Sequence, residues 1–143
     1  MVELSENMKT FVAEVFPAVV GTKRANGTIH LNPIWFEYSD GYFWLNSFQG
    51  SRWLENLQRE GELTLALVDP HNMFRFAEIQ GRLVEATTEG GAEHIDRLSR
   101  RYFGGPYQRH MPGQTRVKIQ IEPVRITGSV DWQGPPPTAT VTE

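Results

Sequence analysis

Residues 18–47 read AVVGTKRANGTIHLNPIWFEYSDGYFWLNS, and this stretch decides the fold of the chain. Aliphatic, β-branched and aromatic residues predominate in it, apart from two turn signals, Ala25-Asn26-Gly27 and Ser39-Asp40-Gly41. Asn-Gly and Asp-Gly pairs tolerate the positive φ angles of tight hairpin turns. The stretch therefore predicts three antiparallel strands joined by two hairpins, at residues 18–24, 28–38 and 42–47.

The rest of the chain adds strands and helices on both sides of this stretch. Apolar runs predict strands at 62–69, 74–86 and 115–130. Apolar residues spaced by three and four predict helices at 4–16, 51–61 and 92–103. Six strands with short connections favour a mainly β protein with flanking helices, built as a six-stranded antiparallel barrel. Residues 1–133 are predicted to form one domain, followed by a disordered tail, GPPPTATVTE, at 134–143.

Composition narrows the class of protein. The 143 residues include no cysteine, and 17 acidic residues outnumber 14 lysines and arginines. The lack of cysteine excludes disulfides and a cysteine nucleophile, and the four scattered histidines predict no metal site. An acidic chain also lacks the basic footprint for nucleic acid or a membrane surface. Without a membrane-length apolar run or a basic leader, we expect a cytoplasmic protein that acts on a small molecule.

A first candidate binding element surrounds Pro33, within the predicted strand 28–38. Proline cannot donate a hydrogen bond to a β-ladder, so this segment is predicted to be either a protective edge strand or a surface that faces a ligand. Its neighbours favour the ligand, because Asn32 offers amide groups while Ile34 and Trp35 offer broad apolar walls. A flat heteroaromatic ring needs both kinds of contact.

A second candidate is the junction between the third strand and the second helix. The free N–H groups and the positive dipole of a helix start favour an anion. Polar side chains at this junction can add hydrogen bonds or charge: Asn46, Ser47, Gln49, Ser51 and Arg52. The alternative is that Ser51 only caps the helix and that Arg52 is solvated.

A third candidate is Met73-Phe74-Arg75, at the entrance of the strand 74–86. An aromatic ring and an arginine at this place could flank a ligand ring or a carboxylate. A core phenylalanine beside a surface arginine is the alternative. The chain has neither a G-x-S-x-G elbow nor a G-x-G-x-x-G loop, so no catalytic residue is assigned.

In combination, these segments resemble a known family. Their order resembles that in the split β-barrel flavin and deazaflavin oxidoreductases, the relatives of pyridoxamine 5'-phosphate oxidase. The segments that carry the resemblance are VVGTKRANGTIHLNPIWFEYSDGYFWLNS, NLQREGELTLALVD, NMFRFAEIQGRLVEAT and HIDRLSRRYFGG. The strongest likeness is to the branch that uses the deazaflavin coenzyme F420. The resemblance extends over about residues 8–130.

The resemblance implies a six-stranded split barrel that forms a homodimer with two cofactor grooves between its subunits. Residues 33–35 would lie along the ring system, and residues 46–53 would hold the phosphate and the start of the tail. Residues 73–75 of the partner subunit would close the groove. Many members carry lysine or arginine at the position of Trp53, which leaves the anchoring to the neighbouring Arg52 or to stacking on Trp53.

The resemblance also implies a reaction: hydride transfer from reduced F420 to a small unsaturated or aromatic acceptor. The coenzyme supplies that chemistry without a side-chain nucleophile. One alternative is an FMN-dependent oxidoreductase on the same barrel, which is disfavoured because an FMN phosphate attracts several basic side chains. The junction offers only Arg52, with Lys23 and Arg24 on a nearby strand. The other alternative is a non-catalytic protein that binds a cofactor or a small aromatic ligand.

Overall fold

Ten helices and strands make up the protein in a computed structural model that describes residues 1–131. Their bounds are α1 Glu6–Val12, β1 Ala18–Lys23, β2 Ile29–Ile34, β3 Glu37–Ser39, β4 Tyr42–Phe48, α2 Arg52–Glu60, β5 Glu62–Asp69, β6 Asn72–Thr87, α3 Gly91–Phe103 and β7 Arg116–Ser129. Trp132 and the predicted tail at 134–143 lie outside the described residues. No helix within residues 1–131 combines the length and the apolar character needed to cross a bilayer.

The strands form one antiparallel sheet in the order β2-β1-β5-β6-β7-β4-β3. The two edge strands, β2 and β3, follow each other in sequence and are separated only by Trp35 and Phe36. So short a connection spans roughly 10 Å, so the sheet must curl until its edges are neighbours. No ladder joins β2 to β3 within the described chain, so the sheet is not closed. The predicted class, a mainly β split barrel with flanking helices, is confirmed.

The structure has seven strands where six were predicted, because the strand expected at 28–38 is interrupted. β2 pairs with β1 and β3 pairs with β4, so the chain changes partners at Phe36. The backbone of Phe36 is bonded by α3 instead: its N–H donates to the Tyr102 hydroxyl at 3.3 Å, and its carbonyl accepts from Nε of Arg101 at 3.2 Å. Two side chains from a distant helix thus replace the ladder bonds that the sequence pattern predicted.

Capping residues and turns follow the local sequence signals. Ser5 and Ser51 each cap a helix, because their side-chain oxygens accept from backbone N–H groups three residues later. In the turn between β3 and β4, Asp40 has φ 58° and Gly41 has φ 85°, values that a two-residue hairpin requires. Helix α1 is shorter than the predicted range 4–16, since its cap lies at Ala13.

The core lies inside the curled sheet and beneath the helices. Buried and more exposed residues alternate along the first half of β7, with Val117, Ile119 and Ile121 buried. Gly81 of β6 sits at a register shift, and a Cβ there would lie 2.4 Å from Cγ2 of Ile121. The two strands therefore approach closely at Gly81, and this lets β6 bend against β7.

The opposite side of the sheet carries an apolar groove that faces solvent. We call it the outer apolar face and define it by the exposed apolar residues of β1, β2, β5, β6 and β7 that line the groove: Val19, Ile29, Leu31, Ala66, Val68, Phe76 and Val124. Leu31 is the most exposed of the large ones, at 65%. Contiguous apolar surface of this kind marks an interaction surface.

Candidate functional site

A cavity of about 710 Å³ is bounded by β2, by the ends of β4 and β7, and by helices α2 and α3. This volume is typical of small-molecule sites. Residues from the first two candidate elements line it: Asn32, Pro33, Ile34, Trp35, Asn46 and Trp53. The structure thus brings the strand around Pro33 and the junction between β4 and α2 to one cavity.

The edge position of β2 accounts for Pro33. Within the described chain β2 pairs only with β1, where Pro33 lies opposite Val19. The edge-strand prediction is confirmed, and Pro33 also lines the cavity. Nδ2 of Asn32 donates to the Pro33 carbonyl at 3.0 Å, which fixes the orientation of that amide beside the cavity.

Trp35 lies at the centre of an aromatic cluster. Its ring stacks on Tyr102 with centroids 5.2 Å apart and planes at 12°, while Phe103 and Tyr107 meet it edge to face. The Tyr102 hydroxyl donates to the Phe16 carbonyl at 2.8 Å, and burial raises the pKa of Tyr102. The phenol therefore stays neutral, and the indole is held from three sides as a firm apolar wall.

The polar end of the cavity is formed by Arg116 and Asn46. Nε of Arg116 donates to Oδ1 of Asn46 at 2.8 Å. This bond sets the orientation of the amide, so Nδ2 of Asn46 faces the Gly91 carbonyl and Nδ1 of His94, each at 3.0 Å. Since an amide nitrogen only donates, Nδ1 of His94 is the acceptor, and the imidazole proton is assigned to Nε2.

Behind this amide, His94 and Arg97 of α3 hold Glu37 of β3. Nε2 of His94 lies 3.2 Å from Oε1 of Glu37, and Nε of Arg97 reaches both carboxylate oxygens. Burial by itself opposes ionisation of Glu37, but the hydrogen bonds from His94 and Arg97 outweigh it and lower the pKa of Glu37 to about 2. The chain Glu37–His94–Asn46–Arg116 is thus fully bonded from the sheet edge to the cavity.

The predicted anion site at the start of α2 is largely satisfied within the chain. Ser47 donates to the Ser51 hydroxyl at 2.6 Å, and Ser51 accepts from the N–H of Leu54 at 3.4 Å. Gln49 and Arg52 are exposed and do not line the cavity. The capping alternative for Ser51 is confirmed, whereas Trp53 of the same helix does reach the cavity.

The third candidate, Met73-Phe74-Arg75, lies at the start of β6 and does not line this cavity. Arg75 pairs with Asp69 at 3.0 Å and with Glu14 at 2.5 Å. The hydrogen bond to Glu14 is the main cause that raises the pKa of Arg75. Met73 is 70% exposed and Phe74 is 46% exposed, so the β5–β6 hairpin presents apolar side chains on its surface.

The end of α3 and the loop after it line the cavity, although neither was predicted from the sequence to do so. Phe103, Tyr107, Gln108 and Arg109 line the cavity, together with Arg116 and with Phe48 of β4. The available signal was a run of aromatic and basic residues placed between glycines and prolines, FGGPYQRHMPG. Such a loop is more typical of a binding segment than of a plain connection.

The lining residues define the chemistry that the cavity accepts. Apolar rings predominate, Arg109 and Arg116 are the cations, and the lining residues that the structure describes include no acid. This combination suits a planar apolar ligand that carries an anionic group. Flavins and deazaflavins with a phosphorylated side chain have that character, so the residues present fit this class of cofactor.

Comparisons with known proteins agree with the fold. Residues 4–128 match the family described as Pyridoxamine 5'-phosphate oxidase. Similar solved structures include an F420 reductase, at 20% identity and TM-score 0.77, with 87% of this chain and 98% of that chain covered. A conserved hypothetical protein from Mycobacterium tuberculosis is 24% identical with TM-score 0.66, covering 87% and 84%. A putative pyridoxamine 5'-phosphate oxidase from Listeria innocua is 18% identical with TM-score 0.65, covering 87% and 97%.

No curated protein matches the chain. At identities below 25% the likeness to solved structures establishes the fold alone. The family match is one of sequence, and it extends from just before α1 to Gly128 near the end of β7. The chain therefore belongs to the pyridoxamine 5'-phosphate oxidase family of oxidoreductases.

Proposed function

We propose that this protein is an F420-dependent oxidoreductase that transfers a hydride from the reduced deazaflavin to a small unsaturated or aromatic acceptor. The observation that carries the proposal is a cavity with a firm aromatic wall at Trp35, a half-buried cation at Arg116 and no acidic residue among its described lining. A planar redox ring with one anionic substituent matches that lining. The flavin chemistry of the family and the F420 reductase among the similar folds support the same choice.

In this proposal the protein binds and orients the cofactor, and the cofactor supplies the redox chemistry. Reduced F420, when bound, provides a hydride from its C5 carbon. Pro33, Ile34 and Trp35 would bind one face of the ring, and Asn32 would offer its amide at the ring edge. The aromatic cluster around Trp35 would exclude water from that face, and no side-chain nucleophile is required.

The phosphoryl groups of F420 and FMN differ in charge. The phosphodiester of F420 carries one negative charge, with further charges on carboxylates farther along its side chain, whereas the phosphate monoester of FMN carries nearly two at neutral pH. Among the described lining residues Arg116 is half-buried and Arg109 is exposed. One half-buried guanidinium matches the single charge of a phosphodiester better than the double charge of a monoester, and this favours F420 over FMN.

A titration tests this proposal. Oxidised F420, whose fluorescence reports binding, is added to the purified protein, and FMN is added in a parallel series. We expect saturable binding of F420 at micromolar concentrations and weaker binding of FMN. Protein that purifies with one equivalent of bound FMN would support the FMN-dependent alternative. If reduced F420 binds but no quinone, enone or nitroaromatic acceptor oxidises it, the non-catalytic binding protein is favoured.

We further propose that the protein is a homodimer whose contact is the outer apolar face. The face presents seven apolar residues from five strands, and the nearby hairpin adds the exposed side chains of Met73 and Phe74. A second copy is the occupant that would cover such a surface with an equally apolar one. In that arrangement residues 73–75 of each subunit would close the partner's cavity, while Arg75 stays paired with Glu14 and Asp69.

A further inference from the structure

Arg116 occupies a position that makes it the cation of the cavity. It is the first residue of β7 and lies opposite Phe48, the last residue of β4, in the antiparallel register. Helix α2 begins only a few residues after Phe48, and Trp53 from that helix lines the same cavity as Arg116. A guanidinium from β7 therefore lines the same cavity as Trp53, the position at which the resemblance implies a lysine or arginine.

Neutral groups hold the Arg116 guanidinium in place. Its Nε donates to Oδ1 of Asn46 at 2.8 Å, and its Nη1 donates to Oε1 of Gln114 at 3.3 Å. The ring centroids of Tyr107 and Phe48 lie 5.3 Å and 5.9 Å from its central carbon. These contacts orient the planar guanidinium but neutralise none of its charge.

Arg116 lacks a carboxylate partner, unlike the arginines that form the ion pairs of the described chain. Arg75, Arg82 and Arg97 each form an ion pair with a carboxylate, whereas no such pair involves Arg116 within residues 1–131. Burial accordingly lowers the pKa of Arg116 below its usual range, against a smaller opposing effect of Tyr107. A half-buried cation held only by neutral groups is stabilised when an anion binds beside it.

The backbone of Arg116 is packed closely against the start of α3. The start of α3 is pressed against β7, so that a Cβ on Gly91 would lie 2.2 Å from the Arg116 carbonyl oxygen. This close approach lets Asn46 bond the Gly91 carbonyl and His94 at once, each at 3.0 Å. Asn46 cannot rotate without breaking three hydrogen bonds, and the orientation of Arg116 is fixed as a result.

Other cations near the cavity do not offer the same site. Arg52 at the start of α2 is exposed and lies outside the lining, and Arg109 is exposed although it does line the cavity. Exposed charges are screened by solvent and contribute little to anchoring a ligand. Arg116 combines partial burial, a fixed orientation and an uncompensated charge.

We propose that Arg116 binds the anionic phosphoryl group of the ligand, with Asn46 as the residue that positions it. The identity of that ligand as F420 rests on the proposed function. The role of Arg116 as the anion-binding residue can be tested without it. The phosphoryl group would accept from Nη2 of Arg116, which has no hydrogen-bond partner within residues 1–131 because Nε and Nη1 donate to Asn46 and Gln114.

The first test compares ligands that differ only by the anionic side chain. F420 and its phosphate-free parent deazaflavin are titrated, by fluorescence, into the wild type, Arg116→Gln and Arg125→Gln. Arg125 is the matched control, since it is an exposed arginine on the same strand and outside the cavity lining. We expect Arg116→Gln to weaken F420 binding about tenfold or more and to leave the parent deazaflavin within about twofold. Arg125→Gln should resemble the wild type for both.

The salt dependence of binding and a second variant separate the loss of a charge interaction from a folding defect. Raising the ionic strength should weaken F420 binding in the wild type and have less effect in Arg116→Gln, because a charge pair is screened whereas packing is not. Arg116→Lys keeps the charge but loses the fork, so it should bind F420 with intermediate affinity. Equal losses for F420 and the parent deazaflavin, or no loss for either, would overturn the assignment of Arg116.

A second pair of probes keeps this result separate from the proposed function. Anilinonaphthalene sulfonate and the uncharged N-phenylnaphthylamine share one aromatic skeleton and differ by a sulfonate. If no deazaflavin binds to the wild type, the proposed function fails, and these two dyes decide the role of Arg116. A loss of sulfonate binding in Arg116→Gln, with the uncharged dye unaffected, supports the anion site. Identical behaviour of both dyes in the wild type and the variant contradicts it.

Discussion

Nε2 of His94 lies 3.2 Å from Oε1 of Glu37, and this pair ties helix α3 to the edge strand β3. The contact is buried on the histidine side and mostly buried on the glutamate side. Because β3 has only three residues and pairs with β4 alone, side chains from α3 are needed to fix it. The same pair supports Asn46 and, through it, Arg116.

The first prediction concerns acid stability. The pKa of Glu37 is about 2 in the folded chain, against 4.5 as its ordinary value, so ionised Glu37 stabilises the fold above pH 4.5. That contribution, on the order of 3 kcal/mol, is lost as the pH falls from 4.5 towards 2. In urea denaturation at pH 7 and pH 3, Glu37→Gln should lose less stability between the two values than the wild type. Glu85→Gln, at an exposed position, should lose as much as the wild type.

The second prediction concerns the aromatic wall. Trp35→Ala removes the ring that stacks on Tyr102 and lines the cavity. We expect F420 affinity to fall about fivefold or more, since an aromatic contact contributes about 1 kcal/mol beyond area burial. Trp35→Phe should retain most of the affinity. Trp44, which packs with Lys118 and is not part of the cavity lining, provides the control, and an equal loss in Trp44→Ala would contradict a ligand contact at Trp35.

The third prediction concerns the homodimer. Leu31→Glu places a charge on the outer apolar face, where Leu31 is 65% exposed. A charge buried without a partner in an apolar interface is costly, so this variant should be monomeric in light scattering while the wild type has twice the mass of one chain. Val84 is 48% exposed and lies outside that face, so Val84→Glu should remain dimeric. A monomeric wild type with full F420 affinity would refute the shared groove.

The fourth prediction concerns the approach of α3 to β7. Gly91→Ala would place a Cβ 2.2 Å from the Arg116 carbonyl oxygen, which the backbone cannot accommodate without moving. We expect a loss of about 2–4 kcal/mol in the free energy of unfolding. Gly105→Ala is the control, because nothing lies within 4 Å of its added Cβ, and it should change stability by less than about 0.5 kcal/mol. Similar stability of both variants would show that α3 can shift.

The sequence predicted most of the fold because its decisive signals are local. Hairpin turns, helix caps and the alternation of β7 depend on neighbours along the chain, and they lie where the pattern indicates. The break at Phe36 could not be predicted, because it depends on Tyr102 and Arg101, which approach from a helix distant in sequence. Hydrophobic periodicity alone predicts a continuous strand across this break, because Phe36 is as apolar as a buried strand residue.

The site was harder to predict, because it depends on which polar side chains already form hydrogen bonds within the chain. Alternation places Arg116 on the polar side of β7 with Lys118, but it cannot indicate which of them reaches a cavity. Only the register with Phe48 and the path of the loop after α3 decide that. The same limit applies to Ser51, whose hydroxyl receives hydrogen bonds from Ser47 and from the backbone of α2.

The interrupted strand at Trp35 and Phe36 gives the barrel a seam, a line along which side chains and not backbone ladders hold two sheet edges together. Hydrogen-bonded ladders resist local opening more than side-chain contacts do, so breathing motions of this protein should start there. A molecule resting on Trp35 would bridge that line, and its release would reopen it. Amide hydrogen exchange in β2 and β3 would then report occupancy of the cavity directly, without any chemistry taking place.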